Sequence, residues 1–275
     1  MLRAAVGQAV STPGDPAANA ATAARLVERA AADGARLLVL PEAFLTGYAP
    51  ACFSGELPDG LLDGDALDAD PAALGALDAL RDAATAHGVV VLAGTGLRRR
   101  RGSTLALLVA APGGRVVAAY DKQFLDAGEK PFFVPGAHGA SVDVDGHLVG
   151  LSVCYDGSFP EHARAAAVDG AVAYAASAAF FVGSEHRRDL YPRSRALDNG
   201  LFVLFAGLTG PCGPHRFSGG SAVVDPEGRV LGRLGEEEGV VVGDLDADVV
   251  AATRAAHPML ADHAVDLGPR RTVQV

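Results

Sequence analysis

Three reactive side chains stand just past apolar runs of this 275-residue chain. Glu42 follows Leu38-Val-Leu-Pro41, Lys122 follows Val116–Tyr120, and Cys154 follows Gly150-Leu-Ser-Val153. A carboxylate, an ammonium and a thiol together supply a proton acceptor, an oxyanion stabiliser and a nucleophile. Separately each has a plain structural reading. Glu42 after a proline fits a helix-starting acid, Lys122 beside Asp121 fits a surface pair, and a free cysteine is a common small core residue. The run Cys154-Tyr-Asp-Gly-Ser-Phe-Pro-Glu161 must turn after an apolar strand. A side chain at such a junction is held on a rigid strand end and presented to a cleft.

The elements that would position these groups alternate between helices and strands. Asn19–Asp33 has an apolar face at Leu26, Val27 and Ala30, reads as a helix, and stops at Asp33-Gly34. The buried strand Arg36–Leu40 follows, then a helix over Pro71–His87 and a strand over Val89–Ala93. Paired strands are expected at Thr104–Ala110 with Arg115–Tyr120, and at Ser141–Val144 with His147–Val153 around Asp145-Gly146. Beyond Cys154 the pattern predicts helices over Phe159–Val168 and Tyr191–Asn199, each followed by an apolar strand. A hairpin around Asp225-Pro-Glu-Gly228 and a last strand at Val240–Asp244 complete the set. Helix, Asp-Gly-Ala and apolar strand occur twice, at Asp33-Gly34 and Asp169-Gly170, which suits two similarly built layers packed face to face. No Pro/Ser-rich linker divides the chain, so residues 1–275 read as one domain with an irregular tail from about residue 246.

A hydrophobic content of 49% and a charged content of 20% describe a folded globular protein. The net charge of −10 argues against nucleic acid as a partner. The basic run Arg98-Arg-Arg-Arg101 reads as a solvated loop or hairpin. The longest apolar stretches are short and broken by glycine, which argues against a membrane span. The N-terminus reads as a strand, with no secretory signal. Three widely spaced cysteines make no disulfide framework, so a reducing cytoplasm is expected. The histidines and cysteines lack zinc-site spacing, and the pattern calls for no cofactor or metal.

Longer blocks carry a family likeness. Leu40-Pro-Glu42-Ala-Phe-Leu-Thr-Gly-Tyr48, Tyr120-Asp-Lys122 with Phe133-Val-Pro-Gly136, and Cys154-Tyr-Asp-Gly-Ser-Phe-Pro-Glu161-His-Ala-Arg164 resemble the signatures of the nitrilase superfamily of carbon–nitrogen hydrolases, in that family's order. Arg193-Ser-Arg195-Ala-Leu-Asp-Asn199 and Ser218–Gly228 add to the likeness, which runs to about Asp246. The resemblance implies a four-layer α-β-β-α sandwich of two mixed sheets and a homodimer or higher homo-oligomer. It makes Cys154 the nucleophile, Glu42 the general base, Lys122 the oxyanion cation, and Glu129 the second glutamate placed after the lysine. Physical logic agrees: a free thiol, pKa about 8.5, needs a base or a cation to attack at neutral pH. The backbone N–H of Tyr155 is the expected second oxyanion donor, and donors of this kind contribute about 3 kcal/mol each. Tyr48 and Phe132 are candidate pocket walls, with core packing the stronger expectation for Phe132.

Two positions depart from the family pattern. Phe124 stands where a histidine is common, and the chain has no tryptophan, offering Ala178-Ala-Phe-Phe181 where one often lines the pocket. Glu185, in the charged stretch 183–189, is a candidate for a substrate ammonium, or else part of a solvated loop. The expected reaction is hydrolysis of a small linear amide through a cysteine thioester, with N-carbamoyl amine and nitrile hydrolysis as alternatives. A Cys-His hydrolase using His162, or a non-catalytic binding protein on the same fold, are the rival readings.

Overall fold

The computed structural model describes residues 1–264 and 266–274. One sheet runs, edge to edge, Gly239–Leu245, Leu2–Gln8, Leu37–Val39, Val90–Arg98, Thr104–Ala110 and Val116–Asp121, with the short strand Leu62–Asp63 beside the fourth. The other runs Ser141–Val144, His147–Val153, Ala173–Ala178, Phe202–Gly207, Ala222–Val224 and Val230–Arg233. In these orders both sheets pair antiparallel, parallel, parallel, antiparallel, antiparallel. The halves thus share one topology, as the repeated Asp-Gly signal suggested. The first half borrows its edge strand from the far end of the chain.

Strand alternation builds the layers. Leu37 and Val39 join Val6, Leu92, Val149, Leu151 and Leu204 in an apolar layer between the sheets, while Leu38 turns outward. On that outer side, helix Pro16–Ala32 packs Leu26 and Val27 with Leu38 and Val91. On the opposite face, helices Pro160–Val168 and Glu185–Asn199 bury Ala163, Ala167 and Ala196 against Tyr174, Val203 and Phe205. The result is the expected four-layer α-β-β-α sandwich.

Some local expectations are corrected. The Pro71–His87 helix begins only at Asp78, after a short 3-10 turn, because the Asp70 carboxylate accepts the Ala72 N–H in a local turn. The helix expected from Tyr191 starts at Glu185 and carries Pro192 inside it, so the proline masked its first turns. Arg99 is not solvated. It is 8% exposed, bonded to Asp68, Thr104 and Asp121, while Arg100 and Arg101 stay in solvent. The pair Thr209–Cys212 and His215–Ser218 forms a further hairpin.

Candidate active site

Non-glycine residues with positive φ number three among the described residues: Ala43, Asp145 and Cys154. Asp145 with Gly146 makes the tight hairpin turn expected at that pair. The others lie beside Glu42 and at Cys154 itself, where each left-handed conformation stores about 1–3 kcal/mol of strain. The surroundings hold them there.

Cys154, φ 45°, ends strand His147–Val153 and starts a 3-10 turn through Ser158. The Asp156 carboxylate, fully buried, accepts the Val153 N–H at 2.9 Å, the Phe124 N–H at 2.9 Å and the Tyr120 hydroxyl at 2.7 Å. One side chain therefore clamps the cysteine turn to the segment that follows Lys122. Arg195 of the long helix donates to the carbonyls of Gly157 (2.9 Å) and Ser158 (3.2 Å), closing the turn from outside.

Glu42 rides on a loop pressed against strand Val90–Arg98. Only glycine fits at position 94, since a Cβ there would lie 2.3 Å from the Pro41 carbonyl oxygen. The Ser177 hydroxyl donates across the sheets to the Leu40 carbonyl. Ser177 also pairs with Val153, so one residue joins the Glu42 loop to the strand bearing Cys154. Lys122 is pinned by its own N–H to Leu105 (2.7 Å) and by the Gly136 N–H to its carbonyl (2.8 Å).

These elements bring the sequence-predicted groups together. Lys122 Nζ donates to Glu42 Oε1 at 2.7 Å and to Glu129 Oε1 at 2.5 Å, and all three side chains are at most 1% exposed. Glu129 also accepts the Tyr48 hydroxyl at 2.9 Å and the Asp126 N–H at 2.9 Å. Tyr48 thus serves the buried cluster through its hydroxyl, while its ring meets the edges of Phe53, Phe181 and Phe217. An ammonium has three donors, and two are taken. Glu42 Oε2 is buried with no formed hydrogen bond among the described residues.

Charges follow from this burial. Desolvation drives the Glu42 carboxyl up to about 8, Glu129 adds to the rise, and Lys122 opposes it. Burial pulls Lys122 down, but Glu42, Cys154 and Glu129 outweigh it and hold the ammonium above the ordinary lysine range. Burial and the Glu42 carboxylate push the Cys154 thiol well up, with Lys122 and the backbone N–H of Ala179 opposing. Such a site holds a protonated thiol next to a carboxylate tuned to take its proton, with a permanent cation alongside.

Other expectations resolve differently. His162 cannot serve as the base. Tyr120 spends its proton on Asp156, so His162 Nε2–H donates to Tyr120 at 2.9 Å, and Nδ1 accepts the Tyr174 hydroxyl at 2.8 Å. Burial lowers its pKa, in keeping with this neutral, structural imidazole. Glu185 folds back onto the Gly183 N–H, at 3.0 and 2.9 Å, and caps its own loop. Phe132 is 37% exposed rather than core, its ring near Phe53. Tyr155 is 39% exposed at the start of the turn. Asp156, Tyr120 and Arg195 are supporting residues that lie within the motif blocks but to which the motifs assign no role. An aspartate two places after a cysteine carries no sign of its burial. Replacing Asp156 by Asn is expected to lower kcat about 100-fold with KM little changed, and to reduce stability by about 1–3 kcal/mol, read by steady-state kinetics and thermal melting.

The family model described as carbon–nitrogen hydrolase matches residues 3–255. A 2-oxoglutaramate amidase of Bacillus subtilis is 30% identical over 260 residues, 92% of this chain and 94% of its own. A nitrilase of Pyrococcus abyssi is 32% identical, covering 87% of this chain and 88% of its own. The fold also superposes on an amidase from Nesterenkonia sp. AN1, a glutamate-to-glutamine mutant with acrylamide added at its active-site cysteine. That similarity has a TM-score of 0.75 and 32% identity over 93% of this chain and 98% of the other.

Proposed function

The chain belongs to the carbon–nitrogen hydrolase family, and on that premise we propose that it hydrolyses the carbon–nitrogen bond of a small linear amide through a Cys154 thioester. The observation carrying this reading is the Glu42 carboxylate, with one oxygen on Lys122 and the other buried with no hydrogen bond among the described residues, on a loop that Ser177 ties to the strand bearing Cys154. Attack of Sγ on the carbonyl carbon transfers the thiol proton to Glu42. The oxyanion takes the free donor of Lys122 and the Tyr155 N–H. Collapse of the tetrahedral adduct breaks the carbon–nitrogen bond as Glu42 returns the proton to the leaving nitrogen. Water, deprotonated by Glu42, then attacks the thioester, and the thiol is re-formed with the same proton. Glu129 and Tyr48 keep Lys122 charged and aimed.

Glu42 must be deprotonated to accept, and its pKa lies near 8. Hence kcat/KM is expected to rise with pH through an inflection near 8 and to stay high beyond it, because Lys122 holds its proton into the alkaline range. Glu42→Gln removes the acceptor, and kcat falls about 10³-fold with the inflection gone. An unaltered inflection in that variant would assign the base elsewhere. Ammonia release over a panel of amides, N-carbamoyl amines and nitriles tests the substrate class, with amides expected to dominate.

The likeness of the halves supports reading residues 1–275 as one catalytic domain. Free thiols at Cys52, Cys154 and Cys212 favour a reducing cytoplasm. No helix of the described residues is long and apolar enough to cross a membrane. Leu190 and Leu197 stand exposed on the Glu185–Asn199 helix, an apolar face suited to pairing with a second copy. Light scattering would then read twice the chain mass.

A further inference from the structure

The body of the substrate must find room around Cys154, and the structure offers it unequally. On the helix side of the second sheet, a cavity touches Cys154 among Tyr174, Ala178, Phe180 and Phe205, but it holds only about 20 Å³. That is space for about one water. A larger acyl or amine group must therefore lie elsewhere.

Lys122–Pro135 and Tyr155–Phe159, the segments that begin at Lys122 and just after Cys154, line a recess of about 450 Å³. This size is within the range of small-molecule sites. Its walls are Phe124, Leu125, Phe133, Tyr155 and Phe159, and Lys130 stands in its lining. Phe124 and Phe159 stack at 3.9 Å between ring centroids and 19°, and Tyr155 meets Phe159 edge-on at 5.1 Å. Phe124 is the residue found where the family often places histidine, and its ring lies flat on Phe159 and edge-on to His162. Lys130 is exposed and makes no ion pair among the described residues. An aromatic lining with one exposed cation suits an aryl group carrying a negative charge.

We propose that the Phe124–Tyr155–Phe159 recess is a substrate subsite, and that it selects amides bearing an aryl group, with Lys130 favouring an anionic substituent on the ring. The inference rests on the amide-hydrolase reading above and deepens it. Phe124 supplies the flat wall, Tyr155 leads from the nucleophile into the slot, and Lys130 meets the distal charge.

The test compares propionamide, 3-phenylpropionamide and its para-carboxylate. Wild type is expected to prefer the aryl amides over propionamide by about tenfold or more in kcat/KM, a span typical of one filled apolar pocket. Phe124→Ala should lose at least five times more on the aryl amides than on propionamide, and Lys130→Gln should erase only the advantage of the carboxylate. Equal losses on all three substrates, or no aryl preference in wild type, would overturn the subsite. Calorimetric binding of 3-phenylpropionamide to Cys154→Ala, with and without Phe124→Ala, separates this idea from the hydrolase reading. Weaker binding in the double variant without any wild-type turnover would sink the hydrolase and keep the recess. Equal binding in both would sink the recess.

Discussion

Replacing Lys122 by Met is expected to abolish measurable turnover and to lower stability by about 3–5 kcal/mol. Among the described residues the ammonium is the only cationic partner of two buried glutamates, at 2.7 and 2.5 Å. Without it, two carboxylates share a dry site, and each must either stay charged or take up a proton. Protonation is the lesser penalty, so both pKa values rise in the variant. Carboxyls raised in the folded state contribute stability at low pH that is lost as pH climbs through their folded pKa. The melting temperature of Lys122→Met should therefore drop by about 10 °C at pH 7 and by more at pH 9, and recover partly at pH 5. Turnover fails for two reasons. The oxyanion loses a donor, a loss of about 10²–10³ in kcat, and Glu42 holds its proton and cannot act as base. A Lys122→Met protein melting like wild type at pH 9 would mean the cluster is not buried and ionic as described.

Cys154→Ala is expected to lose about 10⁴-fold or more of the activity, because it removes the thiol that forms the proposed thioester. Its stability should move little, and the detail is informative. Position 154 has φ 45°, where an alanine is strained and a glycine is not. Cys154→Gly should therefore melt higher than Cys154→Ala, by about 1 kcal/mol, the reverse of the usual order at a strand end. Both variants are inactive. A glycine variant less stable than the alanine one would show that the backbone at position 154 is relaxed, and that Asp156 and Arg195 hold nothing under strain.

The chemistry of the site was legible because its parts are short and local. Leu-Pro-Glu42, Asp-Lys122 and Val-Cys154-Tyr each combine an apolar strand with one reactive side chain, and strand ends converge in layered folds. Asp145-Gly146 was equally plain, because a tight hairpin turn demands positive φ at both positions. What failed to show was whatever depends on distant partners. Arg99 looked solvated in a run of four arginines, yet Asp68 and Asp121 lie far off in sequence and bury it. Asp156 looked like a turn residue, and only the fold brings Phe124 and Tyr120 to it. His162 was a candidate base until two tyrosines claimed both its nitrogens. Local propensity also misled at Pro192, where tertiary packing keeps a helix running through a proline.

The acyl-enzyme is the most direct test of the account. Wild-type protein mixed with 3-phenylpropionamide or propionamide, quenched in acid within milliseconds and weighed intact by mass spectrometry, should show a fraction heavier by the mass of the substrate less ammonia. Peptide mapping should place that gain on Cys154 and on neither Cys52 nor Cys212. Glu42→Gln, which lacks the group that takes the thiol proton and protonates the leaving nitrogen, should form that adduct about 10³-fold more slowly. Steady turnover with no adduct on Cys154, or turnover that survives in Cys154→Ala, would contradict thioester catalysis at this cysteine.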